Sequence, residues 1–302
     1  MKLATTTGDF DKFCGNYLER LKSVHEAGFK YVDLSLYNVA ENDELIISDN
    51  WKDTVYQLKD YAQKHNLEFV QCHSPNTNPL DEKQFEKAVK WNIRSIEICG
   101  ELGIPNMVVH SGWDPDATKE EWFRRNKAFF ERLFDAMEKN HVNVLHENTA
   151  SSNMPWFYPK TGAEMREFSE YVNHPLFHSC WDTGHANIEG SQYEEILAVG
   201  DDLYAVHIND NRGAQDEHVI PYFGTLNMDE IMHALKDINY KGAFTFESGS
   251  SLRPKNYCLG SRREFSKDTR LAEPSFELQK DLEKFLYSVG KHILNAYGEF
   301  ED

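Results

Sequence analysis

The 302-residue chain carries a formal net charge of −18, with 40% hydrophobic and 13% aromatic residues, the balance of a protein with a large buried core. That acidity disfavours general affinity for a nucleic-acid backbone, which needs clustered Lys and Arg, and no run approaches the roughly 18 apolar residues of a membrane span. The opening residues lack the apolar h-region of a secretion signal, and Cys14, Cys72, Cys99, Cys180 and Cys258 form no C-x-x-C, so the expectation is a cytoplasmic protein with buried or free thiols.

In chain order, short β-branched apolar runs alternate with longer amphipathic stretches. Strands are expected at 2–5, 31–36, 68–73, 106–110, 142–147, 177–182, 203–208 and 243–247. Helices are expected between them at 16–27, 51–65, 81–102, 119–140, 161–172, 192–199 and 227–238, with a last one at 273–296. Gly28, Gly103 and Gly200 stand where helices should stop before the next strand. Eight βα units in strict alternation, without a linker or composition break, predict an α/β fold, a single (β/α)8 TIM barrel domain over residues 1–302.

Every expected strand from the third to the eighth ends at or near a residue able to ligate metal: His73, His110, Glu147, Asp182, His185, His207, Asp216, His218 and Glu247. In a closed parallel barrel those ends converge on one mouth, so residues scattered through the chain face a common pocket. Mixed carboxylate and imidazole donors suit Mn²⁺ or Zn²⁺, with Mg²⁺ and Co²⁺ also compatible. The most economical metal-binding set is Glu147, Asp182, His207 and Glu247, which leaves positions open for substrate oxygens. Glu147 and Glu247 then qualify as an acid/base pair that takes and returns a carbon-bound proton. The other five are further metal or substrate ligands. His25, His65, His141, His174, His233 and His292 fall in helices or away from the mouth, His146 points to the opposite strand face, and His178 opens its strand far from the mouth.

These motifs, with His-Glu-Asn-Thr at 146–149, Asp182-x-x-His185, His207 with Asp210, Asp216-x-His218 and Glu247, resemble the xylose isomerase-like TIM-barrel superfamily over the whole chain. That superfamily includes sugar and sugar-phosphate isomerases, ketose 3-epimerases and endonuclease IV. The epimerase resemblance implies one divalent metal on Glu147, Asp182, His207 and Glu247, acid/base roles for Glu147 and Glu247, and substrate binding by His185. The endonuclease IV resemblance implies three zinc ions on all nine positions. The stretch from His218 to Leu226 is similar to the sugar isomerases' His-x-x-Pro-Gly-x-Gly turn, with Tyr222 where glycine is usual.

The mouth loops add Trp113 and Trp156-Phe157-Tyr158 as surfaces for stacking on a sugar. After the eighth strand, where barrels often bind phosphate, come Arg253, Lys255, Arg262, Arg263, Lys267 and Arg270, which suit an anionic group on the substrate. The expected function is a metal-dependent sugar or sugar-phosphate isomerase or epimerase working through a metal-bound enediolate. The second reading is a trinuclear zinc phosphodiesterase acting on abasic DNA, and a third is a sugar-binding barrel without turnover. A small carbohydrate is the expected partner; membrane is excluded, nucleic acid disfavoured, and self-association left open.

Overall fold

The structure, a computed structural model, describes residues 1–152, 158–252 and 273–301. Strands β1 (Leu3–Thr6), β2 (Tyr31–Ser35), β3 (Glu68–His73), β4 (Asn106–Val109), β5 (Asn143–Glu147), β6 (Phe177–Asp182), β7 (Leu203–Ile208) and β8 (Phe244–Phe246) are the expected eight, with every end within one residue of its expected position. They close in sequence order into a parallel barrel, with β8 pairing back onto β1. The helices are α1 (Tyr17–Glu26), α2 (Trp51–His65), α3 (Phe85–Leu102), α4 (Lys119–Glu131), α5 (Phe134–Asn140), α6 (Gly162–Val172), α7 (Thr183–Glu189), α8 (Tyr193–Val199), α9 (Met228–Asp237) and α10 (Phe276–Ala296). No helix among the described residues is long and apolar enough to cross a membrane.

Strand alternation separates the apolar residues of the sheet into a main core and smaller buried clusters. Met107, Val109, Val144, Trp181, Val206 and Ile208 join the main core, between sheet and helices. The residues between them, Val108, Leu145, Cys180 and Ala205, form a separate fully buried layer, which places them inside the barrel. Two residues further along each of these strands, on the same face by alternation, stand His110, Glu147, Asp182 and His207. The interior of the barrel is thus apolar beneath and polar at the mouth.

Local signals hold the helices in place. Thr118 and Thr161 each form a capping box, with Glu121 and Glu164, at the starts of α4 and α6; such a cap contributes about 1 kcal/mol. Gly103 ends α3 at φ +75°, a conformation open to glycine without penalty.

Three helical expectations change. The helix expected at 81–102 starts only at Phe85, because Lys83 N donates to Asp81 Oδ1 and Gln84 N to Asp81 O, which form a turn first. The stretch 119–140 divides into α4 and α5, where Arg132 N bonds Phe129 O at 3.1 Å and Leu133 N bonds Phe130 O at 2.9 Å. These i→i−3 bonds tighten the turn. Finally, α7 was not anticipated. Asp182 is both the last residue of β6 and the N-cap of α7, its Oδ1 accepting from His185 N at 2.7 Å.

Candidate metal centre and active site

All nine expected ligands gather at the C-terminal mouth of the barrel. Glu147, Asp182, His207 and Glu247 each offer one donor atom such that the four atoms lie within 4.8 Å of one another. His185, Asp216 and His218 form a second such group, and His73, His110 and Glu147 a third. Glu147 links the first and third: its Oε1 lies 2.7 Å from His207 Nδ1, and its Oε2 2.7 Å from His110 Nε2 and 3.8 Å from His73 Nε2. Glu247 Oε2 stands 3.5 Å from His207 Nδ1, and Asp216 Oδ1 2.8 Å from His218 Nε2. Every donor is nitrogen or oxygen, so the set fits a divalent cation of intermediate hardness.

Surrounding hydrogen bonds orient these side chains. Asp182 Oδ2 accepts from Asn209 Nδ2 at 2.7 Å, while Asn148 exchanges two bonds with the Asp182 backbone, at 2.6 and 3.0 Å. His73 Nδ1 faces Ser74 O at 2.9 Å, His185 Nδ1 faces Asn148 O at 2.9 Å, and His218 Nδ1 faces Glu247 O at 3.0 Å. A carbonyl only accepts, so each Nδ1 carries a hydrogen, and Nε2 is the ring atom turned toward the carboxylates of the site. Sequence reasoning named neither Asn148 nor Asn209 as part of the site, although Asn148 stands in the quoted His-Glu-Asn-Thr motif.

The electrostatics reflect crowded charge. Burial alone raises Glu147, yet the His207 and His110 imidazoles hold its carboxyl well below the usual carboxylate range. Burial raises Asp182 despite the neighbouring His185. Burial disfavours the His185 imidazolium, but Asp182 and Asp216 hold it well above its ordinary value. Burial and the nearby His110 bring His73 down to about 4, so that it stays neutral and available as a ligand.

A cavity of about 270 Å³ adjoins this cluster and is lined by His73, His110, His185, Asp216, His218 and Glu247 among others. Thr6 and Ser35, the last residues of β1 and β2, together with Asp9, Asp11, Tyr37 and Asn38 just beyond them, also line it. Sequence reasoning did not anticipate this part of the lining, because most of these residues are ordinary polar types. Trp113 is 38% exposed and is not one of the residues lining the cavity. Arg253, the basic stretch to Arg270, Trp156 and Phe157 lie outside the described residues. The histidines set apart from the mouth stay apart: His146 is buried against Ser169, and His178 pairs with Asp202 at 2.9 Å.

The loop carrying Asp216 and His218 is organised by Asp210. Its Oδ1 accepts from Asn211 N and Leu226 N, and its Oδ2 from Tyr222 N and Gly224 N, at 2.7 to 3.1 Å. Tyr222, in the position where glycine is usual, adopts φ +81°. The backbone therefore keeps a conformation that favours glycine, and the Asp210 carboxylate holds it there.

Fold and site together define a class: a closed (β/α)8 barrel with clustered carboxylates and imidazoles at its mouth. A profile of the family described as xylose isomerase-like TIM barrel matches residues 21–268, and the chain belongs to that family. Among curated relatives, an uncharacterised protein y4fM of Sinorhizobium fredii is 28% identical over 62% of this chain, which spans 58% of that relative's length. An L-ribulose 3-epimerase of Methylomonas sp. is 28% identical over 74% of this chain and 76% of its own. A probable endonuclease 4 of Nitrosopumilus maritimus is 26% identical over 54% of this chain and 63% of its own. Among solved structures, a D-tagatose 3-epimerase-like protein superposes with TM-score 0.74 at 18% identity, covering 98% of this chain and 99% of its own. IolI with a bound zinc atom superposes with TM-score 0.72 at 19% identity, covering the full length of both. At these identities the superpositions establish the fold.

Proposed function

We propose that the chain is a divalent-metal-dependent isomerase or epimerase of a small carbohydrate. The observation that carries this reading is the grouping of one donor atom each from Glu147, Asp182, His207 and Glu247 within 4.8 Å of one another, with Glu247 also lining a cavity of about 270 Å³. Such a volume lies at the small end of ligand pockets and suits a monosaccharide. A divalent cation held by these four side chains, Mn²⁺ or Zn²⁺ in this reading, supplies Lewis-acid polarisation of a carbonyl and its neighbouring hydroxyl. The relative named as an L-ribulose 3-epimerase and the zinc-bound IolI structure support the substrate class and the metal.

The protein's own part is positioning and proton transfer. One of Glu147 and Glu247 removes a carbon-bound proton and the other returns one, with Glu247 the more accessible of the two. His185 and His218 direct Nε2 into the pocket beside Asp216, where they meet substrate hydroxyls. The basic stretch that begins at Arg253 supports extending the substrate class to a phosphorylated sugar. Replacing Glu247 with Gln should abolish deuterium incorporation from solvent into product while substrate still binds; undiminished incorporation removes Glu247 from this role.

The further groups at His73/His110/Glu147 and His185/Asp216/His218, and the relatives named probable endonuclease 4, favour a second reading as a three-metal phosphodiesterase. The two separate on metal content and substrate. About one metal per chain with no cleavage of an abasic oligonucleotide supports the first, whereas three metals with cleavage support the second.

A further inference from the structure

Resting on the metal-centre reading above, the geometry points to Asp33, buried inside the barrel on β2, as the positioning residue that orients His207 as a ligand through its Nδ1 atom.

The argument begins with a difference among the histidines. His73, His185 and His218 each have Nδ1 facing a backbone carbonyl, at 2.9 to 3.0 Å, and turn Nε2 toward the carboxylates. His207 is inverted. Its Nδ1 faces Glu147 Oε1 at 2.7 Å and Glu247 Oε2 at 3.5 Å, while its Nε2 points down into the barrel without a hydrogen-bond partner. No carbonyl meets that nitrogen. Asp33 Oδ2 approaches it at 3.9 Å, and both residues are fully buried; the Cys180 thiol, also close to the His207 ring, is a far weaker acceptor than a carboxylate.

Asp33 has its own need for a donor. Neither of its carboxylate oxygens has a hydrogen-bond partner, and a buried carboxylate without one is costly. Its strand explains its position. The β2 to β3 register slips between Val32 and Asp33, and Asp33 comes level with Gln71. Gln71 Oε1 accepts from Thr245 Oγ1 at 3.1 Å, and its Nε2 is unpartnered. Two donors, Gln71 Nε2 and His207 Nε2, therefore remain in this layer for the two unsatisfied oxygens of Asp33. A movement of about 1 Å brings His207 Nε2 and Asp33 Oδ2 within ordinary hydrogen-bond range.

A carboxylate accepting from Nε2–H fixes the tautomer in which Nδ1 carries the lone pair, and raises the basicity of that nitrogen toward a cation. Such outer partners of ligand histidines are worth roughly 10- to 100-fold in metal affinity. Asp33→Asn preserves shape but offers an amide that can donate to Nε2, which favours the opposite tautomer.

The test is zinc affinity of the full chain by chelator competition, together with ¹H–¹⁵N spectra of the zinc-loaded protein. In the wild type, His207 should show a protonated Nε2 with a downfield hydrogen and a metal-bound Nδ1. Asp33→Asn should lose that downfield signal and bind zinc roughly 10- to 100-fold more weakly, with a melting temperature of the metal-free form no lower than that of the wild type. Zinc on Nε2 of His207 in the wild type overturns the role of Asp33 without recourse to any variant. So does an Asp33→Asn affinity within twofold of a measurable wild-type value. A wild type with no zinc affinity instead overturns the metal centre itself, and this role with it.

Discussion

Glu147 and His207 lie sixty positions apart in the chain and meet at 2.7 Å, Oε1 to Nδ1, inside the barrel mouth. The same carboxylate reaches His110 with its other oxygen, also at 2.7 Å. Imidazoles from β7 and from just beyond β4 thus converge on a single side chain at the end of β5.

Replacing Glu147 with Gln tests that convergence. The amide keeps the volume but cannot balance two imidazoles or bind a cation as strongly. Isomerase turnover should fall by about 10²- to 10⁴-fold, the usual worth of a general acid or base. Zinc affinity should fall as well, measured by titration on the same preparation.

Metal removal should be visible in stability as well as in turnover. A cation present at 100 times its dissociation constant stabilises the folded chain by about 2.7 kcal/mol, provided that it binds only the native state. Dialysis against a chelator should therefore lower the melting temperature, and added Zn²⁺ or Mn²⁺ should restore it. A melting curve indifferent to both treatments counts against the centre.

Gly184 makes a separate prediction through packing. A Cβ at this position would stand 1.8 Å from Asn209 Oδ1, and Asn209 donates to Asp182. Gly184→Ala should push Asn209 aside and release Asp182 Oδ2. A loss of roughly 1–3 kcal/mol is expected, the cost of a buried polar group left without its partner. Denaturant unfolding measures it, and metal affinity should drop in parallel.

Glu283, on α10, sits fully buried with Oε1 accepting from Thr5 Oγ1 at 2.7 Å, and burial pushes its carboxyl up to about 7. Folded chains keep its proton after unfolded chains have lost theirs near the ordinary value of 4.5. The contribution is therefore complete below pH 4.5 and declines as the pH rises through about 7. The full change is on the order of 3 kcal/mol. Glu283→Gln should flatten this part of the pH–stability profile and gain on the wild type at pH 8.

The strand ends were legible because two signals coincide there: β-branched runs of barrel length, and a ligand-capable residue at the end of each. His110, Glu147, Asp182 and His207 stand two residues beyond Val108, Leu145, Cys180 and Ala205, so strand alternation alone turns them inward. The short helix α7 escaped notice because its first turn uses the Asp182-x-x-His185 residues that read as a ligand motif, the N-cap and the ligand being one side chain. The division between α4 and α5 escaped for a different reason. Apolar spacing continues through Leu133, and only the i→i−3 bonding at Arg132 and Leu133 reveals the break.

Tyr222 shows how sequence and structure divide the information. A tyrosine at a position where glycine is usual raises the question of altered turn geometry. The positive φ and the bonds from Asp210 show that the turn is kept.

By itself the sequence determined the alternation of strands and helices, the single mouth at which they end, and the kinds of atom gathered there, since these follow from local periodicity and side-chain chemistry. Only the tertiary structure decided which ring nitrogen of each histidine faces the pocket, which carboxylate joins neighbouring clusters, and that Asp33 lies beneath His207. Those are relations between strands distant in the chain, set by barrel register and by the need of buried polar atoms for partners.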